Sequence, residues 1–233
     1  RWPRGGSSST SRATACSGAA EPGAGKRMAD ADKIDFKTLM KPYWRPPAGR
    51  FEVVEVPALD FLMIDGAGDP NTVPAYASAL NWLFGVSYAL KFASKAAGRD
   101  YGVAPLEGLW WAADMADFAA RRKDRWLWTA MIMQPDWTTA AAVAAAVEKT
   151  RGKLGMPPAS LRFERFAEGL SVQTMHVGPY DAEEPVLKTL HEAYLPANGL
   201  VETGHHHEIY LTDPRRAAPE KLRTILRQPV RRR

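Results

Sequence analysis

A repeat constrains this chain more than any other feature: the order strand, strand, glycine turn, helix, strand occurs twice along it. In the first copy, residues 51–56 and 59–65 read as strands on either side of Pro57, and Gly66-Ala67-Gly68-Asp69-Pro70 makes the turn. Residues 72–97 then carry Val73, Tyr76, Leu80, Leu83, Phe84 and Leu90 near a 3.6-residue period, and 106–113 form a strand containing Trp110-Trp111. In the second copy, 161–167 and 170–177 are strands and Gly178-Pro179-Tyr180 is the turn. Residues 181–195 follow as a helix, with Asp181 and Glu184 spaced as a capping box, and 206–212 close the unit. Aligning Asp114 with Asp213 sets Trp111 against Tyr210. Two such copies packed about a pseudo-twofold axis bring equivalent strands together and leave a cleft lined by both.

Two further pieces link the copies. Residues 125–134 alternate as a strand, with Trp126, Trp128, Ala130 and Ile132 on one face, and the alanine-rich stretch 138–154, ended by Gly155, is a helix on propensity. Strands adjoin in hairpin-like pairs more than they alternate singly with helices. The expected fold is therefore α+β, two pseudo-symmetric strand-helix-strand modules with mostly antiparallel sheet around a central ligand cleft.

Charge excludes one class of function. The formal net charge is +5, but residues 1–27 hold five basic residues against one acid and Arg231–Arg233 add three more, so the body carries −2. A slightly acidic body lacks the positive surface that phosphate binding needs, which argues against a nucleic-acid partner. Residues 1–27, rich in Gly, Ser, Ala and Arg, cannot bury enough surface to offset their chain entropy and read as a disordered tail. The folded domain is expected over 28–230, with 231–233 a basic tail. The one cysteine, Cys16, falls in the first tail, which suits a reducing cytoplasm, and no apolar run is long enough to span a membrane.

No nucleophile elbow, phosphate loop, zinc-protease helix or paired C-x-x-C occurs, and nothing in the pattern calls for a metal or cofactor. What stands out is aromatic content, with eight Trp and seven Tyr. Such side chains offer flat contact area and a negative π-face suited to planar or cationic ligands. In G-H-H-H-E-I-Y-L-T-D-P (residues 204–214), the period of two sets Glu208 and Tyr210 on one strand face. A carboxylate in the middle of an apolar strand is either exposed or awaits a partner. On the same strand His205 and His207 share the other face, too few ligands for a stable zinc site. Tyr180 follows a tight turn, from which its hydroxyl can reach over the sheet end. Trp110 and Trp111 must face opposite ways, one to the core and one to the cleft. Glu107, sharing a face with Leu109 and Trp111, is a reserve carboxylate, and His176 reads as a hydrogen-bonded sheet histidine.

These stretches together resemble a known family. L-E-G-L-W-W (106–111), W-L-W-T-A-M-I-M-Q-P-D (126–136), E-G-L-S-V-Q-T-M-H-V-G-P-Y-D-A-E-E-P (168–185), H-H-E-I-Y-L-T-D-P (206–214) and K-L-R-T-I-L-R-Q-P-V (221–230) are similar to the GyrI-like small-molecule-binding family in its stand-alone form. The resemblance runs from about Ile34 to Val230. It implies a pocket with a central glutamate and flanking aromatics that binds flat, drug-like or cationic molecules. It also implies kinship with hydrolases that open the cyclopropane ring of DNA-alkylating natural products. By position the glutamate is Glu208 and the aromatics are Tyr180, Trp111 and Tyr210. In that reading Glu208 is the general base and Tyr180 the hydrogen-bond donor, with Trp110, Trp111, Tyr210, Glu107 and His176 as ligand-binding residues. The alternative is a non-catalytic module that sequesters ligands or serves as a regulator's sensor. Either way the expected partner is a small molecule, with oligomeric state left open.

Overall fold

In the computed structural model, which describes residues 33–114, 117, 118 and 120–233, strands β1 (Glu52–Val56) and β2 (Leu59–Ala67) are separated by only two residues yet do not pair with each other. The link Pro57-Ala58 contains no residue suited to the positive φ of a tight hairpin turn, so the chain crosses instead of folding back. The same holds for β5 (Arg162–Phe166) and β6 (Gly169–Val177), joined by Ala167-Glu168. β1 pairs antiparallel with β6, and β5 with β2. Each module thus lends its first strand to the other, which corrects the expectation that these neighbours form hairpins. Residues 1–27, expected as a tail, lie outside the described residues.

The remaining strands are β3 (Leu106–Ala112), β4 (Trp126–Gln134), β7 (Leu200–Glu202), β8 (His206–Tyr210) and β9 (Arg223–Arg232). The sheet runs β1-β6-β9-β8-β3-β4-β2-β5, its ladders antiparallel, and curls into a half-barrel. Read from either end, this order repeats one module arrangement about the central β8–β3 pair. There, Gly108 faces Glu208, flanked by Leu106 opposite Tyr210 and Trp110 opposite His206. Arg231 and Arg232, expected in a basic tail, belong to β9 and pair with β7.

Helix α1 (Pro74–Ala96) starts on proline, which suits a first turn whose N–H groups lack intrahelical partners. It buries Ala79, Trp82, Leu83, Val86 and Leu90 at helical spacing. Helix α2 (Ala140–Leu154) packs on it and is capped by Thr139, whose hydroxyl accepts from the Ala142 N–H at 3.2 Å. These helices and the strands bury Leu62, Ile64, Met131, Ile132 and Ile209 in the main core, each worth about 1.5–3 kcal/mol. In the second module, α3 (Glu184–Thr189) continues through a π-helical turn (Leu190–Tyr194) to Ala197 and closes a smaller core of Val172, Leu190, Leu195, Leu200 and Val230. The expected Asp181 cap is absent. Residues 180–182 form a 3-10 turn, and Asp181 points outward to an ion pair with Arg121 at 2.6 Å.

Candidate functional site

The period of two along β8 aims Glu208 and Tyr210 into a cleft of about 1270 Å³. Helix α1 forms one wall with Tyr76, Leu80 and Phe84, and the turn before α3 supplies Tyr180 and Glu183 on the other side. From β3 and β4 come Trp110, Trp111 and Trp126. The rings touch one another. Tyr180 meets Tyr210 edge-on at 5.6 Å, Tyr76 lies 5.8 Å from Trp110, and Trp110 lies 5.8 Å from Trp126. Trp110 Nε1 donates to the Tyr210 hydroxyl at 2.9 Å. Glycine at 108 makes that bond attainable, because a Cβ there would come 2.7 Å from the same indole nitrogen.

Carboxyl groups dominate the electrostatics of this cleft. The Glu208 side chain is 14% exposed, and His206 Nε2 stands 3.5 Å from its Oε1. Burial raises the phenols of Tyr76 and Tyr210 well above the usual range, and the Glu208 charge adds to it. Tyr180 is pushed up to about 12, by burial first and then by Glu183 and Glu208. All three are therefore neutral hydrogen-bond donors. Glu183 is 4% exposed. Its carboxyl is pushed well up, by burial first and then by the charge on Glu208, which outweigh the opposing pull of Thr224 and Arg121, and both causes favour its protonated form. Neither Glu183 Oε1, nor Trp126 Nε1, nor either ring nitrogen of His206 has a hydrogen-bond partner among the described residues. These are unpaired polar groups buried in the walls of the cleft.

The opposite face of the same strands holds a separate charged network. His207 lies between Glu107 (Nε2 to Oε2, 3.0 Å) and Glu168 (Nδ1 to Oε1, 2.8 Å), and Glu168 reaches Arg227 at 2.8 Å. Arg227 continues to Gln173 and to the Tyr43 carbonyl. Burial alone would pull the His207 imidazole down, but its two carboxylates hold it up at about 9. Burial would likewise raise Glu168, yet His207 and Arg227 hold it down to about 2. The two cations and two carboxylates balance, as a buried cluster requires. The arm that carries Tyr43 and Trp44 packs on this side and does not cover the cleft.

Of the residues singled out in the sequence, Glu208, Tyr180, Tyr210, Trp110 and Trp111 line the cleft, with Trp111 stacked on His205 at 4.0 Å. Glu107 does not. It is 2% exposed and serves His207 on the far face, opposite to Trp110, whereas Trp111, of the same parity as Glu107, lies near the end of β3 and meets the cleft beside His205. His176 also stays out of the cleft, its Nε2 3.1 Å from the Pro179 carbonyl oxygen. Sequence reasoning missed Glu183, Tyr76, Trp126 and His206. In the sequence Tyr76 reads only as a core position of α1, and Glu183 reads as part of a helix start. Only the odd-even register with Glu208 could have drawn in His206. Among the described residues no group of three or more His, Cys, Asp or Glu side chains is arranged to hold a metal ion, and no helix is long and apolar enough to cross a membrane.

Comparison with known proteins agrees with this architecture. A conserved protein from Listeria innocua is 39% identical over 85% of this chain and all of its own, with a TM-score of 0.77. A hydrolase from the same organism is 38% identical over 85% of this chain and all of its own, with a TM-score of 0.74. The C-terminal domain of EcmrR shares the fold at 12% identity, over 79% of this chain and 98% of its own, with a TM-score of 0.51. No curated protein matches the chain. The family model described as a GyrI-like small molecule binding domain matches residues 50–231, and the chain belongs to that family.

Proposed function

We propose that the cleft binds flat, drug-like or cationic small molecules and hydrolyses those that carry a cyclopropane conjugated to a dienone, the reactive group of certain DNA-alkylating natural products. The observation that carries this reading is Glu208, a carboxylate in the floor between the two modules, set among phenols and indoles with the His206 ring 3.5 Å away. The likeness to the Listeria innocua hydrolase supports a reaction as well as binding. Water attacks the cyclopropane CH2 carbon while Glu208 takes its proton. The ring C–C bond breaks, and its electron pair passes through the dienone to the carbonyl oxygen. Tyr180, held as a neutral phenol, donates a hydrogen bond to the developing phenolate, and Trp110 and Trp111 hold the flat ring. The proton on Glu208 then returns through solvent to the phenolate, so one water is added overall. General-base assistance of this kind is worth about 10²–10⁴-fold in rate.

A second reading is a non-catalytic binder, such as a sequestering protein or a regulator's sensor. The negative charge of Glu208 among aromatic faces favours it for permanent cations, which offer no reactive carbon. Incubation with an excess of a cyclopropane-bearing alkylator separates the two. Consumption of many equivalents per protein, lost in Glu208→Gln, supports hydrolysis, and consumption that stops at one equivalent overturns it in favour of sequestration.

A further inference from the structure

Glu208 is not the only carboxyl in the cleft, and the second is the better buried. Glu183 reaches the cavity from the turn ahead of α3, is 4% exposed, and leaves Oε1 without a hydrogen-bond partner among the described residues. A carboxyl buried this far, with one oxygen unpaired and no ion pair of its own, is costly to ionise unless the cleft supplies a positive charge. The charged and titratable groups that line the cleft with it come from every wall, including Tyr76 of α1, His206 of β8, and Glu184, Lys188 and His191 of α3 and its π-helical turn. Glu208 and Tyr210 belong to β8, Arg121 and Lys123 to the β3–β4 connection, and Tyr180 and Asp181 to its own turn. From β9 only the Thr224 hydroxyl is added. Neither basic residue is free to neutralise Glu183, since Arg121 and Lys123 both reach to Asp181, at 2.6 and 3.4 Å. Among the described residues no Lys or Arg pairs with either carboxyl, and the His206 ring, 3.5 Å from Glu208, is the basic group that stands beside one of them.

We infer that Glu183 is a proton-exchanging selectivity group: a neutral flat ligand binds with its proton in place, whereas a cationic ligand binds with release of that proton, so that the cleft adapts its charge to its occupant. The inference rests on the reading of the cleft as the ligand site. Burial and the charge on Glu208 both work against ionising Glu183 while the cavity is empty, which favours its protonated form in the free protein. A ligand cation between them removes that repulsion and replaces the proton. Linkage then fixes the sign. Because the free protein carries the proton and the cation complex does not, affinity for the cation rises with pH, by up to about tenfold per pH unit for one proton released. A neutral ligand of the same shape gains nothing.

The test is isothermal titration calorimetry of the full chain with N-methylacridinium and with acridine, which is uncharged at about pH 8, each in two buffers of different ionisation enthalpy. The expected result is release of close to one proton with N-methylacridinium and none with acridine, and a cation affinity that climbs with pH. In Glu183→Gln both the proton release and the pH slope vanish while acridine still binds. Cation binding to the wild type without proton release, or a slope that persists in Glu183→Gln, overturns the inference and leaves the cleft as a binding site. Failure of both ligands to bind overturns the reading of the cleft and the inference with it. Should the variant not fold, the proton count of the wild type decides alone.

Discussion

Gly108 and Glu208 stand opposite each other where β3 pairs with β8, at the centre of the cleft floor. The two modules are related by pseudo-symmetry, and at the position where their equivalent strands meet, one gives a carboxylate and the other gives no side chain. The floor therefore holds a single carboxylate, and the Trp110 indole lies across the vacant side to reach Tyr210.

Adding a side chain at 108 should disturb the site before it disturbs the fold. A Cβ would come 2.7 Å from Trp110 Nε1, so Gly108→Ala should displace the indole at a cost of about 1–3 kcal/mol. Chemical denaturation measures that loss. Weaker quenching of tryptophan fluorescence by a planar ligand should accompany it.

Trp110→Phe keeps most of the ring area but removes the donor to Tyr210. The expected loss of stability is about 0.5–1.5 kcal/mol for one hydrogen bond. Trp110→Phe combined with Tyr210→Phe should be less destabilised than the sum of the single variants, because the bond is already gone in each, and a double-mutant cycle from denaturation curves measures the coupling.

Glu168 anchors both buried cations behind the cleft. Replacing it with Gln leaves His207 and Arg227 with an uncompensated charge, and breaking a buried pair in this way costs about 3–5 kcal/mol. A fall in calorimetric Tm measures it. Glu107→Gln, which leaves the Glu168 contacts intact, should cost less.

The same network makes stability depend on pH. The folded His207 titrates at about 9, above the value of about 6.5 expected for the unfolded chain. Its contribution is fully present below about pH 6.5 and is lost as pH rises through about 9. Glu183, also protonated in the fold, gives a slope of the same sign, so the comparison belongs in a Glu183→Gln background. There, Tm should fall across that window, and adding His207→Gln should flatten the curve.

Much of this architecture was legible in the chain. Alternation and helical period gave the elements of both modules, but the alignment of Trp111 with Tyr210 was one residue off, since the register puts Trp110 on the face of Tyr210. Strand exchange was not legible, because Pro57-Ala58 and Ala167-Glu168 mark a break without saying which partner each strand takes. Local pattern also could not assign faces. Glu107 and Glu208 are both acids in apolar strands, and only the pairing of Gly108 with Glu208 puts them on opposite sides of the sheet. Glu183 was hidden for another reason. Its role depends on burial against residues distant in sequence, and acids at a helix start are ordinarily exposed.

The central claim is that Glu208 activates water within the cleft. It is tested most directly by incubating the protein with a cyclopropane-bearing alkylator in heavy-oxygen water and weighing the product by mass spectrometry, beside Glu208→Gln and a protein-free control. The account predicts that the wild type converts many equivalents to a ring-opened product carrying one solvent oxygen. Glu208→Gln should still quench tryptophan fluorescence on binding but return the ligand intact. Turnover by Glu208→Gln at the wild-type rate, or no labelled product from the wild type, would contradict it.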